Sequence, residues 1–224
     1  GKGVFKSVDG GDHWAFMGLP DSHHIARICI HPKNPDIVYV AALGHLFSKN
    51  EERGVFRTMD GGKSWKKVLY IDEGVGAVDL VLNRKTPTQL FASMYDKQRL
   101  PWQIVESGPK RGIYRTDDGG EKWTLLTGGL PTGKIGRIGI DIYQKNPVIL
   151  YALLENQNWR GATDQGRGAG GGRGAGGAGA GAGGAGAAGG AGQVSATAPL
   201  AQGIIGNELY RTDDGGKTWR KTSE

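Results

Sequence analysis

The sequence predicts an all-β fold, a partial β-propeller of about three and a half four-stranded antiparallel blades. Two observations carry this prediction: a twelve-residue motif recurs four times without gaps, and the intervals between motifs hold further strand-like apolar stretches. A single four-stranded sheet cannot bury both of its faces, so neighbouring repeats must supply the missing contacts. We expect one partial propeller over residues 1–224, with blade parts 1–20, 21–72, 73–130 and 131–224.

The chain begins with only half of a blade. Residues 1–20 contain a copy of the motif, which supplies the third and fourth strands, but no apolar stretches before it. Each later blade opens with an alternating stretch, then a proline-containing turn, then a second apolar run. The first strands are predicted at 26–31, 77–83 and 136–142, and the second strands at 37–43, 90–94 and 148–154.

The repeated motif reads Ser/Thr-x-Asp-x-Gly-x-x-Trp and forms the hairpin between the third and fourth strands. An aspartate in a turn accepts hydrogen bonds from backbone N–H groups, a glycine adopts positive φ, and a tryptophan packs between sheets. All three roles are structural. The residues assigned to them are Asp9, Gly11, Trp14, Asp60, Gly62, Trp65, Asp118, Gly120, Trp123, Asp214, Gly216 and Trp219.

The last blade contains a low-complexity insertion. Of the 32 residues from 161 to 192, 27 are glycine or alanine, so the segment cannot bury enough apolar surface to offset its ordering entropy. We expect residues 161–193 to form a disordered loop between the second and third strands of that blade.

Charge and cysteine content exclude several classes of function. The net charge is +6, but the basic residues are dispersed, which argues against nucleic-acid binding. No apolar stretch is long enough to span a membrane, so we expect no membrane insertion. Cys29 is the only cysteine, which excludes an intrachain disulfide and a cysteine-based metal cluster. We expect no cofactor and no metal.

The motif, with Asp9, Asp60, Asp118 and Asp214, resembles the Asp box, also called the bacterial neuraminidase repeat (BNR). Beyond the motif, the stretches 22–27, 31–44, 50–57 and 76–81 are similar to bacterial propellers of the sortilin N-terminal or glycosyl-hydrolase-type BNR family. A weaker resemblance, through the Asp boxes alone, extends to xyloglucan-cleaving propellers of glycoside hydrolase family 74 and to sialidases. The Phe/Tyr-Arg-Ile-Pro segment of sialidases does not occur in this sequence.

The resemblance implies an exported protein, extracellular or periplasmic, whose remaining propeller blades lie outside this sequence. Because the sequence contains no recognisable set of catalytic residues, the leading hypothesis is a non-catalytic binding or scaffolding module for an extracellular carbohydrate or peptide. One alternative is a glycoside hydrolase, xyloglucanase-like or sialidase-like, that uses a carboxylate pair. A second alternative is an assembly factor for a membrane or periplasmic complex.

A ligand site is predicted on one rim of the propeller. Antiparallel strand order places the second-to-third and fourth-to-first loops together, opposite the motif turns. The second-to-third loops are longer than hairpins require. Tryptophan can stack on a pyranose face, and arginine can donate to hydroxyls or carboxylates. The ligand-binding candidates are His23, His24, Arg27, His45, Arg99, Trp102, Arg137 and Trp159, with Arg53 and Lys134 nearby.

Asp79 is the weak candidate for a catalytic residue. It lies between Val78 and Leu80 on a predicted first strand, where a buried carboxylate needs a partner. It is either an acid that faces the channel or a structural acid paired with an arginine of a neighbouring blade. Hydrolysis needs a second carboxylate, for which the rim candidates are Asp72, Glu73, Asp96, Glu106 and Glu155.

Overall fold

The computed structural model describes residues 1–106, 108, 110–159 and 203–222. In this part of the chain every regular element is a strand, and the strands form three four-stranded and two two-stranded antiparallel sheets. The predicted fold class, an all-β partial propeller, is confirmed. No described helix is long and apolar enough to cross a bilayer. The predicted insertion at 161–193 lies outside the described residues.

The strands follow the predicted order with small shifts at their ends. In chain order they are β1 (Phe5–Lys6), β2 (Ala15–Phe16), β3 (Ile25–Ile30), β4 (Val38–Ala42), β5 (Gly54–Thr58), β6 (Lys66–Leu69), β7 (Val75–Leu82), β8 (Leu90–Asp96), β9 (Gln98–Arg99), β10 (Ile104–Val105), β11 (Gly112–Thr116), β12 (Thr124–Leu126), β13 (Ile135–Ile142), β14 (Leu150–Trp159), β15 (Ile204–Thr212) and β16 (Arg220–Lys221).

Consecutive strands pair as antiparallel meanders, which is the arrangement of a propeller blade. Blade 1 contains only β1 and β2; blade 2 is β3-β4-β5-β6, blade 3 is β7-β8-β11-β12, and blade 4 is β13-β14-β15-β16. The remaining hairpin, β9 with β10, lies within the long loop between β8 and β11, where no strand was predicted. The first strands β3, β7 and β13 lie side by side in space.

The core lies between the blades and is most complete around blade 3. All eight residues of β7 are buried, because blades 2 and 4 cover both faces of that sheet. On β3, by contrast, Ile28 and Ile30 are exposed, because the described part of blade 1, β1 and β2, leaves them uncovered. An apolar groove of about 480 Å³ lies at this place, lined by Phe5, Trp14, Ile28 and other residues of blades 1 and 2.

Each Asp-box turn is closed by a hydroxyl–carboxylate pair. In blade 2 the Thr58 hydroxyl donates to Asp60 Oδ1 at 2.7 Å and accepts the Gly62 amide at 2.9 Å. Asp60 Oδ1 also accepts the Ser64 amide at 2.9 Å. Gly61 and Gly62 both have positive φ, 74° and 98°. The corresponding pairs in the other blades are Ser7 with Asp9, Thr116 with Asp118 and Thr212 with Asp214.

The motif tryptophans do not all pack between sheets as predicted. Trp219 is only 5% exposed, and Trp65 and Trp123 are half-buried. Trp14 is 63% exposed, so the prediction is wrong for this residue. The reason is its place in the fold: Trp14 belongs to blade 1, which has no described blade before it to cover the ring.

In blades 1, 2 and 3, a basic side chain on the third strand donates to the Asp-box turn of the next blade. Arg57 Nη1 donates to the carbonyl of Gly119 at 2.8 Å, and Arg115 Nη1 donates to the carbonyl of Gly215 at 2.8 Å. In blade 1 the equivalent residue is Lys6, whose Nζ lies 3.4 Å from the carbonyl oxygen of Gly61. The blades are therefore joined by a repeated polar contact as well as by the core.

Candidate functional site

The loops of the propeller fall on two opposite rims, as antiparallel order requires. We call the rim that carries the second-to-third and fourth-to-first loops the loop rim; its described segments are 17–24, 43–53, 70–74, 97–106, 110–111 and 127–134. The other, the turn rim, carries all four Asp boxes. Contacts within the loop rim join different loops, for example Lys110 Nζ with Asp72 Oδ2 at 2.6 Å.

Large aromatic side chains stand exposed on the loop rim. Trp102 is 77% exposed, Phe47 is 66% exposed and Trp159 is 58% exposed. The Arg99 guanidinium lies 5.6 Å from the centroid of the Phe47 ring. Trp159 was expected in a loop. It is instead the last residue of β14 and pairs with Ile204, because β14 continues beyond the predicted residue 154.

The Trp102 side chain does not bury itself against its own loop. The loop turns at this point through a hydrogen bond from the Leu100 amide to the Gln103 carbonyl, at 2.8 Å, between β9 and β10. The short hairpin thus lifts the indole into solvent. A tryptophan that contributes so little to the core is available for a ligand.

Charged and phenolic groups cluster where blades 3 and 4 meet at the loop rim. Tyr95 is buried, and burial is the main reason why the pKa of its hydroxyl is strongly raised. The nearby charge of Glu106 is the second cause. Glu106 accepts from Lys97 Nζ at 3.3 Å. Arg137, a ligand-binding candidate, lies on β13 at a break in the register with β14 and is exposed, and its amide lies 3.4 Å from Glu155 Oε2.

Asp72 and Asp96 have pKa values that are shifted in opposite directions. The hydrogen bond from Lys110 lowers the pKa of Asp72, and a hydrogen bond from the Gly74 amide acts in the same direction. Partial burial opposes them but does not outweigh them. Burial, followed by the negative charge of Asp72, raises the pKa of Asp96. The environments of these two carboxylates therefore move their pKa values apart.

Histidines from two loops meet at the outer part of the loop rim in blade 2. The His23 and His45 rings stack with their centroids 3.7 Å apart. His45 Nε2 lies 2.8 Å from Asp21 Oδ1. His24 points away from this group, and its Nδ1 donates to the Gly44 carbonyl at 2.9 Å. The expectation of no metal took no account of Asp21, whose carboxylate lies beside both histidines.

Arg27 and Asp79 lie among the first strands, away from the loops. Arg27 Nε donates to Asp79 Oδ1 at 3.0 Å, and the Ile140 amide donates to Asp79 Oδ2 at 3.0 Å. The carboxylate therefore bridges β3, β7 and β13. Arg27 was expected on the rim, but it lies within β3, and its guanidinium is held by the neighbouring blade. A cleft of about 400 Å³ opens beside this pair.

The buried guanidinium of Arg53 organises the loop between β4 and β5. Its Nη2 donates to the carbonyls of His45 at 2.7 Å and Ser48 at 2.8 Å, and its Nε donates to Asn50 Oδ1 at 3.0 Å. Arg53 was predicted near the ligand site, but these bonds use it inside the loop. Lys134, the other neighbour, has its amide bound to Asn158 Oδ1 at 2.8 Å.

The site contains residues that sequence reasoning missed. Phe47 and Asp21 were not among the candidates, since a single phenylalanine or aspartate in a loop carries no pattern. Phe47 sits in the predicted loop between β4 and β5, so loop length was the one signal that could have drawn attention to it. The opposite pKa shifts of Asp72 and Asp96 depend on a contact between separate loops, which the sequence does not encode locally.

Comparison with known proteins supports the fold. A family model described as the BNR/Asp-box repeat matches residues 210–221. A comparison with curated protein sequences finds no significant match. Among solved structures, a glycoside hydrolase family 74 (GH74) enzyme of Niastella koreensis is similar over 98% of this chain and 26% of its own, with 16% identity and a TM-score of 0.59.

Two further solved structures show the same likeness. The GH74 xyloglucanase from Xanthomonas campestris matches 98% of this chain and 27% of its own, with 16% identity and a TM-score of 0.58. An ancestral GH74 enzyme matches 100% of this chain and 21% of its own, with 14% identity and a TM-score of 0.61. The chain spans about a quarter of the length of these structures, and the likeness establishes the fold alone. The chain is a partial β-propeller that carries BNR/Asp-box repeats.

Proposed function

We propose that this protein is a non-catalytic binding module that holds an extracellular polysaccharide on its loop rim. The observation that carries the proposal is the exposure of Trp102 and Trp159 on that rim, 77% and 58%. Indole rings exposed on a rigid scaffold offer flat apolar faces to pyranose rings. Arg99 and Arg137 place donors for sugar hydroxyls or carboxylates on the same rim.

The fold gives independent support for a carbohydrate. The solved structures with the same architecture are GH74 enzymes, one of them named as a xyloglucanase. Xyloglucan is therefore the first polysaccharide to try. A peptide ligand on the same rim is the alternative outcome, and it would be revealed by binding that does not discriminate among sugars but is competed by peptides.

The test is affinity electrophoresis of the full chain in gels that contain soluble xyloglucan, followed by Trp102→Ala and Trp159→Ala. Trp14→Ala is the matched control, because Trp14 is also exposed, 63%, but lies on the turn rim. We expect retardation of the native chain, loss of retardation in the two loop-rim variants, and no change in the control. Equal retardation of all four proteins, or none for the native chain, overturns the proposal.

A second candidate function is glycoside hydrolysis, favoured by the opposite pKa shifts of Asp72 and Asp96. In this role protonated Asp96 would donate a proton to the leaving glycosidic oxygen, and ionised Asp72 would activate water or attack the anomeric carbon. Asp79, the earlier catalytic candidate, is less suited because its carboxylate joins Arg27 and the Ile140 amide among the first strands, away from the loop rim.

Release of reducing sugar from xyloglucan separates the two candidates. Hydrolysis by the native chain that is abolished in Asp96→Asn and Asp72→Asn, but retained in Asp79→Asn, would establish the second candidate. Binding without release of reducing sugar supports the first. Activity lost only in Asp79→Asn would contradict the assignment of Asp72 and Asp96.

Export to the periplasm or the cell exterior belongs to the same proposal, since polymeric sugars are encountered there. Cell fractionation of the native host, with detection of the chain by antibody, tests it. We expect the protein in the periplasmic or culture fraction, and its confinement to the cytosol would contradict the proposed ligand.

A further inference from the structure

We propose that Asp21, His23 and His45 form a binding site for one divalent transition-metal ion, with zinc as the best match. The ligand-capable atoms of the three side chains all lie within 4.8 Å of one another. Two imidazole nitrogens and one carboxylate oxygen are the ligand types that zinc prefers among divalent ions. A water molecule would supply the fourth ligand of a tetrahedral site.

The present distances are close to those that a metal requires. With metal–ligand bonds of about 2.0 to 2.2 Å, tetrahedral ligand atoms lie roughly 3.3 to 3.6 Å apart. His45 Nε2 and Asp21 Oδ1 are 2.8 Å apart, and the stacked His23 and His45 rings have centroids 3.7 Å apart with an interplanar angle of 25°. Side-chain rotations that tilt the His23 and His45 rings out of their stack would direct all three groups at one ion.

The backbone of the first loop is shaped to present these ligands. Leu19 and His23 are the non-glycine residues with positive φ in the described part of the chain, 56° and 49°. They flank Ser22, which is fully buried and whose hydroxyl donates to the Leu19 carbonyl at 2.8 Å. The left-handed conformation of His23 turns its ring towards the neighbouring loop, and it costs energy that an ordinary loop avoids.

Surrounding polar groups orient each ligand, as the outer shell of a metal site does. His45 Nδ1 pairs with Ser48 Oγ at 2.8 Å, which leaves Nε2 directed at Asp21. Asn50 Nδ2 donates to the Asp21 carbonyl at 2.7 Å, and Asn50 Oδ1 accepts the His45 amide at 3.0 Å. One amide side chain therefore links the two loops that carry the ligands.

The test is isothermal titration of zinc chloride into the metal-free full chain, with the visible absorption of bound cobalt(II) as a second readout. We expect one zinc ion per chain, and an affinity lower by at least about ten-fold in Asp21→Asn, His23→Gln and His45→Gln. Circular dichroism of each variant shows whether it is folded. Ser48→Ala, which leaves all three ligands in place, should weaken binding less than loss of a ligand.

Two controls make the result specific. His13→Gln removes a histidine whose Nδ1 lies 2.6 Å from Asp9 Oδ2, a pair as close as that of His45 and Asp21 but without a third ligand among the described residues. Cys29→Ser removes the only thiol of the chain. Both should bind zinc like the native chain. Absence of saturable zinc binding, unchanged affinity in the three ligand variants, or equal loss in a control overturns the proposal.

Discussion

Arg57 of blade 2 donates a hydrogen bond of 2.8 Å to the carbonyl oxygen of Gly119, which belongs to the Asp-box turn of blade 3. Tyr39 donates to the same carbonyl at 3.1 Å. The Asp box therefore has two roles: its aspartate closes the hairpin within a blade, and the carbonyl of Gly119 accepts hydrogen bonds from the preceding blade. A sequence motif usually explained by its turn also sets the spacing between repeats.

This inter-blade contact can be tested with two equivalent arginines. Arg115 and Arg211 each pair with an aspartate two residues further along, but only Arg115 also donates to a following blade, at Gly215. We expect Arg115→Ala to lower the free energy of unfolding by about 1 to 3 kcal/mol, because a charged donor to a carbonyl is lost. Arg211→Ala should have a clearly smaller effect in urea denaturation. Equal effects would show that the contact with Gly215 contributes nothing.

The tryptophans of the Asp boxes offer a second matched pair. Trp65 Nε1 donates to the Met17 carbonyl at 2.6 Å, whereas the buried Trp123 Nε1 has no partner among the described residues. Both rings are half-buried, so replacement by phenylalanine removes a similar apolar surface. Trp65→Phe should cost about 1 kcal/mol more than Trp123→Phe, measured by thermal unfolding. The reverse order would mean that ring packing, not the hydrogen bond, determines stability here.

The Asp-box carboxylates predict acid sensitivity. Hydrogen bonds from Ser64 lower the pKa of Asp60, those from Thr218 lower the pKa of Asp214, and that from the Lys122 amide lowers the pKa of Asp118. Since the folded pKa lies below the unfolded value of about 3.9, the stabilisation is complete above that value and is lost as the pH falls through the folded pKa.

We therefore expect the melting temperature to fall steeply between about pH 4 and pH 2. Asp60→Asn should flatten this dependence, and Asp60→Asn combined with Asp118→Asn should flatten it further. The measurement is thermal unfolding by circular dichroism at several values of pH. If the melting temperature of the double variant fell as steeply with decreasing pH as that of the native chain, the prediction would be contradicted.

Cys29 is expected to be unreactive in the folded chain. Burial raises the pKa of its thiol to about 11, and its Sγ lies 3.3 Å from the Leu80 carbonyl oxygen. Relative to an ordinary thiol near pKa 9, the thiolate population at pH 8 is lower by roughly 100-fold. Reaction with a disulfide reagent should be slower in buffer than in urea by about this factor. Comparable rates would show that the thiol is open to solvent in the fold.

The sequence was informative about the propeller because its signals are local and repeated. The four Asp boxes and the alternating stretches around Ile138 and Ile140 specify hairpins and strands from neighbouring residues alone. The β9–β10 hairpin escaped prediction because its strands have two residues each, too short for any periodicity. Strand β14 was predicted too short for a related reason: Glu155–Asn158 is polar, yet it pairs with the strand beside it.

The candidate site was predictable as a place but only partly as a set of residues. Loop length identified the loop rim, and composition identified Trp102 as a candidate on it. The pairing of Arg27 with Asp79, however, joins residues 52 positions apart on different blades. Because of this pairing, the Arg27 guanidinium does not belong to the predicted site. The meeting of Asp21 with His45 depends equally on two loops whose conformations no local pattern describes.

The paired glycines of the Asp-box turns have a consequence for the evolution of this protein. Gly61 and Gly62 both have positive φ, as do the glycines at 10–11, 119–120 and 215–216. Any other residue at these eight positions would cost roughly 1 to 2 kcal/mol in backbone conformation. Selection for stability therefore acts against substitutions of these glycines. The loop rim has no repeated glycine pair of this kind, and its glycines with positive φ, Gly18, Gly44, Gly129 and Gly133, do not recur in a shared motif. Its sequence can diversify under selection for new ligands while the opposite rim keeps the repeats recognisable long after their ancestry is otherwise erased.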